Sequence, residues 1–246
     1  MTLTAHHLRL GSGVVLMSYI SLHLFNHMLG IVSLPLAEAG LRWSIRLWQS
    51  APGTAALYGA LALHFALALR MIYLRRHWHL PAVEWLRLWS GFSLPLLLIG
   101  HAVNTRLATS FYGFEPSYEK IIAGLITGGT QGWQIALLAP GWVHGCLGLW
   151  IRTRHRAPLR RTRLALTAIL VAVPLLSAAG FVRMSRSIEP RAAILATRAA
   201  EARPRAAALA AWRQALLGTY LLLLAGSFVA GRWRDAKSAL DDPAAP

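Results

Sequence analysis

The sequence predicts an all-α integral membrane protein, a bundle of six transmembrane helices. Three observations predict it. Of 246 residues, 56% are hydrophobic and only 14% are charged, whereas a soluble domain carries about a quarter charged residues. The mean hydropathy is +0.47, a surplus of apolar side chains that calls for a solvent other than water. Those side chains also fall in blocks of about 20 residues, the length that crosses a bilayer as a helix.

Hydrocarbon offers the backbone no partners, so each block must pair its own N–H and C=O groups and reads as a helix. The first block runs from Leu8 to Leu36, and a turn-rich loop follows to Ala51-Pro52-Gly53. The second runs from Thr54 to Leu74 and stops at Arg75-Arg76-His77. The third runs from Val83 to Ala108 with Pro95 inside. The segment from Thr109 to Gly132 is polar and glycine-rich, suited to a short interfacial helix. The fourth block runs from Trp133 to Ile151 and the fifth from Leu164 to Val182 with Pro174 inside. An alanine- and arginine-rich segment from Arg183 to Arg205 precedes the sixth block, Ala207 to Ala230. Residues 1–231 thus form one transmembrane domain, and 232–246 a polar cytoplasmic tail.

The formal net charge is +16. Its basic residues sit at the ends of apolar blocks, which matches membrane anchoring and argues against nucleic acid as a partner. Cys146 is the only cysteine, so no internal disulfide, iron–sulfur or zinc–thiolate framework is available. The first block is too long for a cleavable signal and contains His23, Asn26 and His27,.

Orientation follows from the short loops. Arg152, Arg154, Arg156, Arg160, Arg161 and Arg163 crowd the fourth-to-fifth connection. Arg70, Arg75, Arg76 and Arg87 flank the second-to-third, and Arg232, Arg234 and Lys237 follow the last helix. With six spans all three clusters share one side, which the positive-inside rule makes cytoplasmic, together with both termini. Such a chain belongs in a bacterial-type inner membrane. Arg183, Arg186, Arg191, Arg198, Arg203 and Arg205 then face outward, so five spans stay as the alternative. An amphipathic helix on the membrane surface is the expected form of that segment.

Ionisable residues at membrane depth are costly and usually functional. Of ten histidines, His6, His7, His77, His79 and His155 lie at the N-terminus or in basic loops and read as solvated or interfacial. His23 and His27 lie in the first helix, His64 in the second, His101 in the third and His144 in the fourth. Haem accounts for this distribution. A six-coordinate b-type iron needs two axial nitrogens, and neutral imidazole supplies them without burying charge. Facing helices of a bundle can present such ligands across its core. The expected haem sites therefore lie within the first four helices.

Small residues let a porphyrin approach a helix. Gly141, Gly145 and Gly148 lie near His144, Gly59, Ala60 and Ala68 near His64, and Gly100 and Ala102 beside His101. Asn26 and Asn104 lie three residues after His23 and His101 on the same helix faces, placed to bond a propionate, a ligand or a neighbouring helix. Arg70 and Arg106 lie nearer helix ends and are candidates for propionate pairing.

The runs His23-Leu24-Phe25-Asn26-His27, His101-Ala102-Val103-Asn104-Thr105-Arg106 and His144-Gly145-Cys146-Leu147-Gly148-Leu149-Trp150 resemble the dihaem cytochrome b anchor of succinate dehydrogenases and fumarate reductases. From Leu10 to Phe181 the chain is more similar still to the quinone-responsive, haem-binding membrane anchor of certain bacterial class III adenylate cyclases. Pro52-Gly53-Thr54, Leu57-Tyr58-Gly59-Ala60 and Trp142-Val143-His144-Gly145-Cys146 share in that similarity. The resemblance implies two haems b, with His23, His64, His101 and His144 as axial ligands to iron and the first helix paired with the third, the second with the fourth. It favours His23 over His27, one turn away. Neither a ferredoxin-like nor a cyclase domain follows the last helix, so the expectation is a separate anchor subunit, a truncated product, or an anchor whose partner is encoded elsewhere.

The expected function is a membrane cytochrome b that exchanges electrons with quinone or quinol. The resemblance adds a role as redox-sensing or electron-transfer anchor for a cytoplasmic cyclase or redox subunit. No acid–base pair, nucleophile or phosphate loop is evident, so catalysis by this subunit alone is not expected. Glu115, Glu119, Tyr112 and Tyr118 lie near the outer face without an assigned role. The alternative is a proton-coupled transporter or channel using the histidines as a relay. It requires Asp or Glu at membrane depth, which these helices almost entirely lack, and an inverted repeat, which is not evident. A bare structural anchor leaves the histidines without a purpose.

Overall fold

The computed structural model describes residues 3–153, 160–201 and 206–241. Arg154, His155, Arg156, Arg203 and Arg205, and the last residues of the tail, lie outside them. Among the described residues there is no strand. The helices are α1 (Leu3–Leu29), α2 (Leu34–Trp48), α3 (Ala51–Leu74), α4 (Ala82–Ala102), α5 (Ala108–Tyr112), α6 (Tyr118–Thr127), α7 (Gln131–Thr153), α8 (Arg160–Ile188), α9 (Ala192–Glu201) and α10 (Ala206–Asp241). Six of them, α1, α3, α4 with its extension, α7, α8 and α10, are long and apolar enough to cross a membrane. Their outward faces carry large apolar side chains such as Leu175, Leu222, Val229 and Trp233. A water-soluble protein does not expose a belt of that extent.

The six long helices alternate in direction. At one end, the near end, α1, α4 and α8 begin and α3, α7 and α10 finish. Arg76 there approaches Asp235 of α10 at 3.9 Å, and the Arg232 guanidinium donates to the Arg76 carbonyl at 3.3 Å. The second-to-third connection and the end of α10 therefore share one face of the bundle. The short helices α2, α6 and α9 gather at the far end. Arg191 pairs with Glu119 there.

Three local features depart from the sequence expectation. The turn-rich loop after the first span contains α2. Ser33 caps it, accepting from the Leu36 N–H, with proline in the first turn. Leu34, Ala37 and Leu41 then give it an apolar stripe that packs into the far-end core with Ile122 and Met184,. Second, α4 passes into a π-helical segment, Val103–Leu107, before α5. The wider turn rotates every later residue relative to His101. Third, α8 runs on to Ile188 and a short 3-10 turn joins it to α9, which packs on α6. The start of the Arg183–Arg205 segment, through Ile188, thus prolongs α8, and Ala192–Glu201 forms a separate short helix. The expected polar tail is helical through Asp241.

Close helix crossings position the core. Ser177 of α8 donates to the Leu24 carbonyl of α1 at 3.0 Å, and Gly180 lies directly over the His27 carbonyl. A Cβ at 180 would overlap that backbone oxygen, which no side-chain rotation can relieve. Gly180→Ala is expected to separate α1 from α8 and cost about 2–3 kcal/mol, read as a lower thermal midpoint in detergent. An unchanged midpoint would refute this crossing.

Candidate functional site

The bundle brings the membrane-depth histidines into two facing pairs. His23 of α1 faces His101 of α4, ring centres 5.8 Å apart and planes at 67°. His64 of α3 faces His144 of α7, centres 6.1 Å apart and planes at 83°. The pairs lie at two levels. Gly13 of α1 abuts His64, and Gly91 of α4 abuts His144. Ten residues further along the same helices stand His23 and His101. Ten helical residues rise about 15 Å, so the His64–His144 pair lies toward the near end and the His23–His101 pair toward the far end.

Hydrogen bonds fix three of the four rings through the same nitrogen. His144 Nδ1 lies 2.9 Å from the Arg87 carbonyl, which only accepts, so Nδ1 carries the proton. His101 Nδ1 donates to Gln134 Oε1 at 2.8 Å. Ser12 Oγ gives its one proton to the Arg9 carbonyl at 3.1 Å and therefore accepts from His64 Nδ1 at 3.2 Å. In each case Nε2 keeps its lone pair and makes no hydrogen bond among the described residues. Metal-ligating histidines show this pattern, with the outer nitrogen tied to a carbonyl or another acceptor. His23 has no such bond. It stacks on Tyr19, centres 5.8 Å apart and planes at 8°.

No match to this chain is found among protein-family models, curated proteins or solved structures. Its chemistry therefore rests on its own geometry. An imidazole nitrogen binds a metal at about 2 Å and the ring centre lies about 1 Å further back, so two trans ligands on one iron stand about 6 Å apart centre to centre. Both pairs have that separation. A bare metal ion needs more ligands, and no group of three or more His, Cys, Asp or Glu gathers for one among the described residues. Iron in a porphyrin asks the protein for two axial donors, and each level offers a facing pair from two helices, the far one with His27 beside His23. The donor set thus fits a bis-imidazole haem at each level.

The other candidates fall in different places. His27 is buried, 8% exposed, with Nδ1 unpartnered. Its ring meets His23, Tyr118 and Phe181, and the partner facing His101 is His23. Asn26 is 3% exposed and presses its Oδ1 against Gly40 of α2. Asn104 is exposed, because the π-helical segment turns it off the His101 face. Arg106 donates to Thr54 Oγ1 at 2.9 Å and lies over the Tyr58 ring. Arg70 is exposed and lines an apolar cleft with Tyr73, Leu222 and Gly226. At the far end Glu38 accepts from the Glu119 N–H at 3.1 Å. Burial raises its carboxyl above the ordinary range and raises the Tyr118 phenol likewise.

The small residues work differently from the expectation. Gly141 faces Ile20 and Leu94, Gly145 faces Met17, and Gly59 and Gly148 face open space. A glycine beside a histidine on its own helix flanks only the stem. The ring reaches across to the next helix, and smallness is needed there, at Gly13 and Gly91. A repeated run signals these positions in the sequence. Arg9-Leu10-Gly11-Ser12-Gly13 recurs as Arg87-Leu88-Trp89-Ser90-Gly91, with His23 and His101, then Asn26 and Asn104, at equal distances beyond. Ser90 Oγ donates to the Arg87 carbonyl at 3.0 Å, as Ser12 does to that of Arg9. The run is thus repeated between α1 and α4, and the helix pairs α1–α3 and α4–α7 each supply one ring to each level.

Proposed function

We propose that this chain is a dihaem membrane cytochrome b that exchanges electrons with quinone and serves as redox-sensing or electron-transfer anchor for a cytoplasmic partner, such as an adenylate cyclase. The observation that carries the reading is the pair of facing imidazole couples stacked about 15 Å apart along the bundle. When bound, haem supplies a one-electron iron couple. His23 and His101 hold one haem b, and His64 and His144 the other. Ser12, the Arg87 carbonyl and Gln134 keep three of those rings in the tautomer that offers Nε2, and they raise its basicity. The apolar bundle excludes water and so favours neutral ligands that do not change with redox state. Two stacked sites give electrons a route between the ends of the bundle. The basic near end, with Arg75, Arg76, Arg152 and Arg232, is the cytoplasmic face by the positive-inside rule, and it is where a soluble partner docks.

The test is the chain expressed in a haem-competent inner membrane, purified in detergent and assayed by pyridine haemochrome with a reduced-minus-oxidised spectrum. About two low-spin b-type haems per chain are expected. The near-perpendicular ring planes also predict strongly anisotropic low-spin ferric resonances. Folded protein without haem would sink the reading.

A further inference from the structure

Two arginines, Arg9 and Arg87, flank the His64–His144 pair through their backbones. Arg9 and Arg87 are repeat-related residues, each one turn nearer the near end than the glycine that touches a ring. Their backbones are already bound to this site. The Arg87 carbonyl holds His144, and the Arg9 carbonyl holds Ser12, which meets His64. Their side chains are half-buried, and Arg87 Nε is buried with no partner. Glu84, one turn before Arg87, forms no ion pair with it, and neither arginine has an ion pair among the described residues.

Two like charges at the wall of a membrane bundle are costly unless an anion joins them. The anion must bring two negative groups, one for each arginine, and must lie within a turn of both rings. A porphyrin whose iron sits between the rings does this, because both its carboxylates leave from one edge. Arginine is suited to them because its planar fork binds carboxylate through two parallel hydrogen bonds. We infer that Arg9 and Arg87 form the seat for the two propionates of the haem held by His64 and His144. The internal repeat explains why one arginine comes from each half. The seat also fixes which way round the porphyrin lies, with its acid edge toward the near end. The inference rests on the dihaem reading, and it assigns the propionates of this level to residues other than Arg70 and Arg106, whose side chains are engaged elsewhere or face the α10 cleft.

The full-length apoprotein in detergent is titrated with iron protoporphyrin IX and, separately, with its dimethyl ester. Wild type is expected to bind the acid at both sites and to lose about tenfold or more in affinity for the ester at one of them. The double variant R9Q/R87Q is expected to bind acid and ester alike at that site. Its potentiometric titration should show one of the two potentials lowered and the other unmoved, because removing positive charge beside the iron disfavours reduction. R9K/R87K keeps the charge and should preserve most of the potential while losing part of the discrimination. Equal binding of acid and ester by wild type overturns the proposal without any variant. So does a double variant that still discriminates. Ester-insensitive binding, with the double variant weakened only for phosphatidylglycerol over phosphatidylcholine vesicles, overturns it too, assigning the arginines to a lipid phosphate. Failure to bind either porphyrin overturns the dihaem reading itself.

Discussion

On the dihaem reading, His64→Ala is expected to halve the haem content of the purified chain, from about two haems to about one. The loss follows from geometry. His64 and His144 face one another at 6.1 Å, and no other histidine ring meets either of them among the described residues. A single imidazole leaves iron with an open axial position and a much weaker hold. His144→Ala should cost the same haem, and the double variant no more than either single one, since on that reading both residues would serve one iron. His23→Ala or His101→Ala should remove the other haem, leaving the first at its original potential. His27→Ala should keep both, because the ring that faces His101 is that of His23, with His27 beside it against Tyr118 and Phe181. The measurement is pyridine haemochrome per chain with helicity checked by circular dichroism. Pairwise loss in any other combination, such as His64 with His101, would disprove the two-level arrangement.

Gly91→Ala is expected to be nearly as damaging to the His64–His144 site, although position 91 carries no chemistry of its own. An added methyl would stand 2.8 Å from both Cε1 and Nδ1 of His144. The ring cannot retreat without breaking its 2.9 Å bond to the Arg87 carbonyl. Overpacking of this kind costs about 1–3 kcal/mol and the lost hydrogen bond about 1 more. Together they amount to about tenfold or more in haem affinity at that level. Gly13→Ala should be milder, because its methyl would stand 3.4 Å from His64 Cε1. Gly59→Ala is the control. That position opens onto free space, so the substitution should be neutral or slightly stabilising. Two haems retained at wild-type affinity in Gly91→Ala would show that the ring is not held as described.

Hydropathy alone was enough to find the six helices long and apolar enough to cross a membrane, because a bilayer imposes length and apolarity on every span independently of its neighbours. The same local reasoning fails where two elements compete for one stretch. Leu34 and Leu36 read as the end of the first span, yet Ser33 caps a new helix there. Asn104 shares a face with His101 on an ideal helix, but the π-helical turn after Ala102 moves it outward. The Arg9–Gly13 and Arg87–Gly91 repeat was legible in the letters, but its meaning was not. Nothing local says that a glycine on one helix makes room for a histidine on another.

By itself, then, the sequence determined an all-helical membrane chain with one or more histidines at depth on each of four spans. Only the tertiary structure decided that His23 stands opposite His101 and His64 opposite His144, at two levels, with Gly13, Gly91, Ser12 and Gln134 around them. The reason is physical. Apolarity and helical period act within a segment and leave their mark in its residues. Pairing and depth depend on which helices cross, in which direction and at which residue, and those are properties of contacts between segments far apart in the chain.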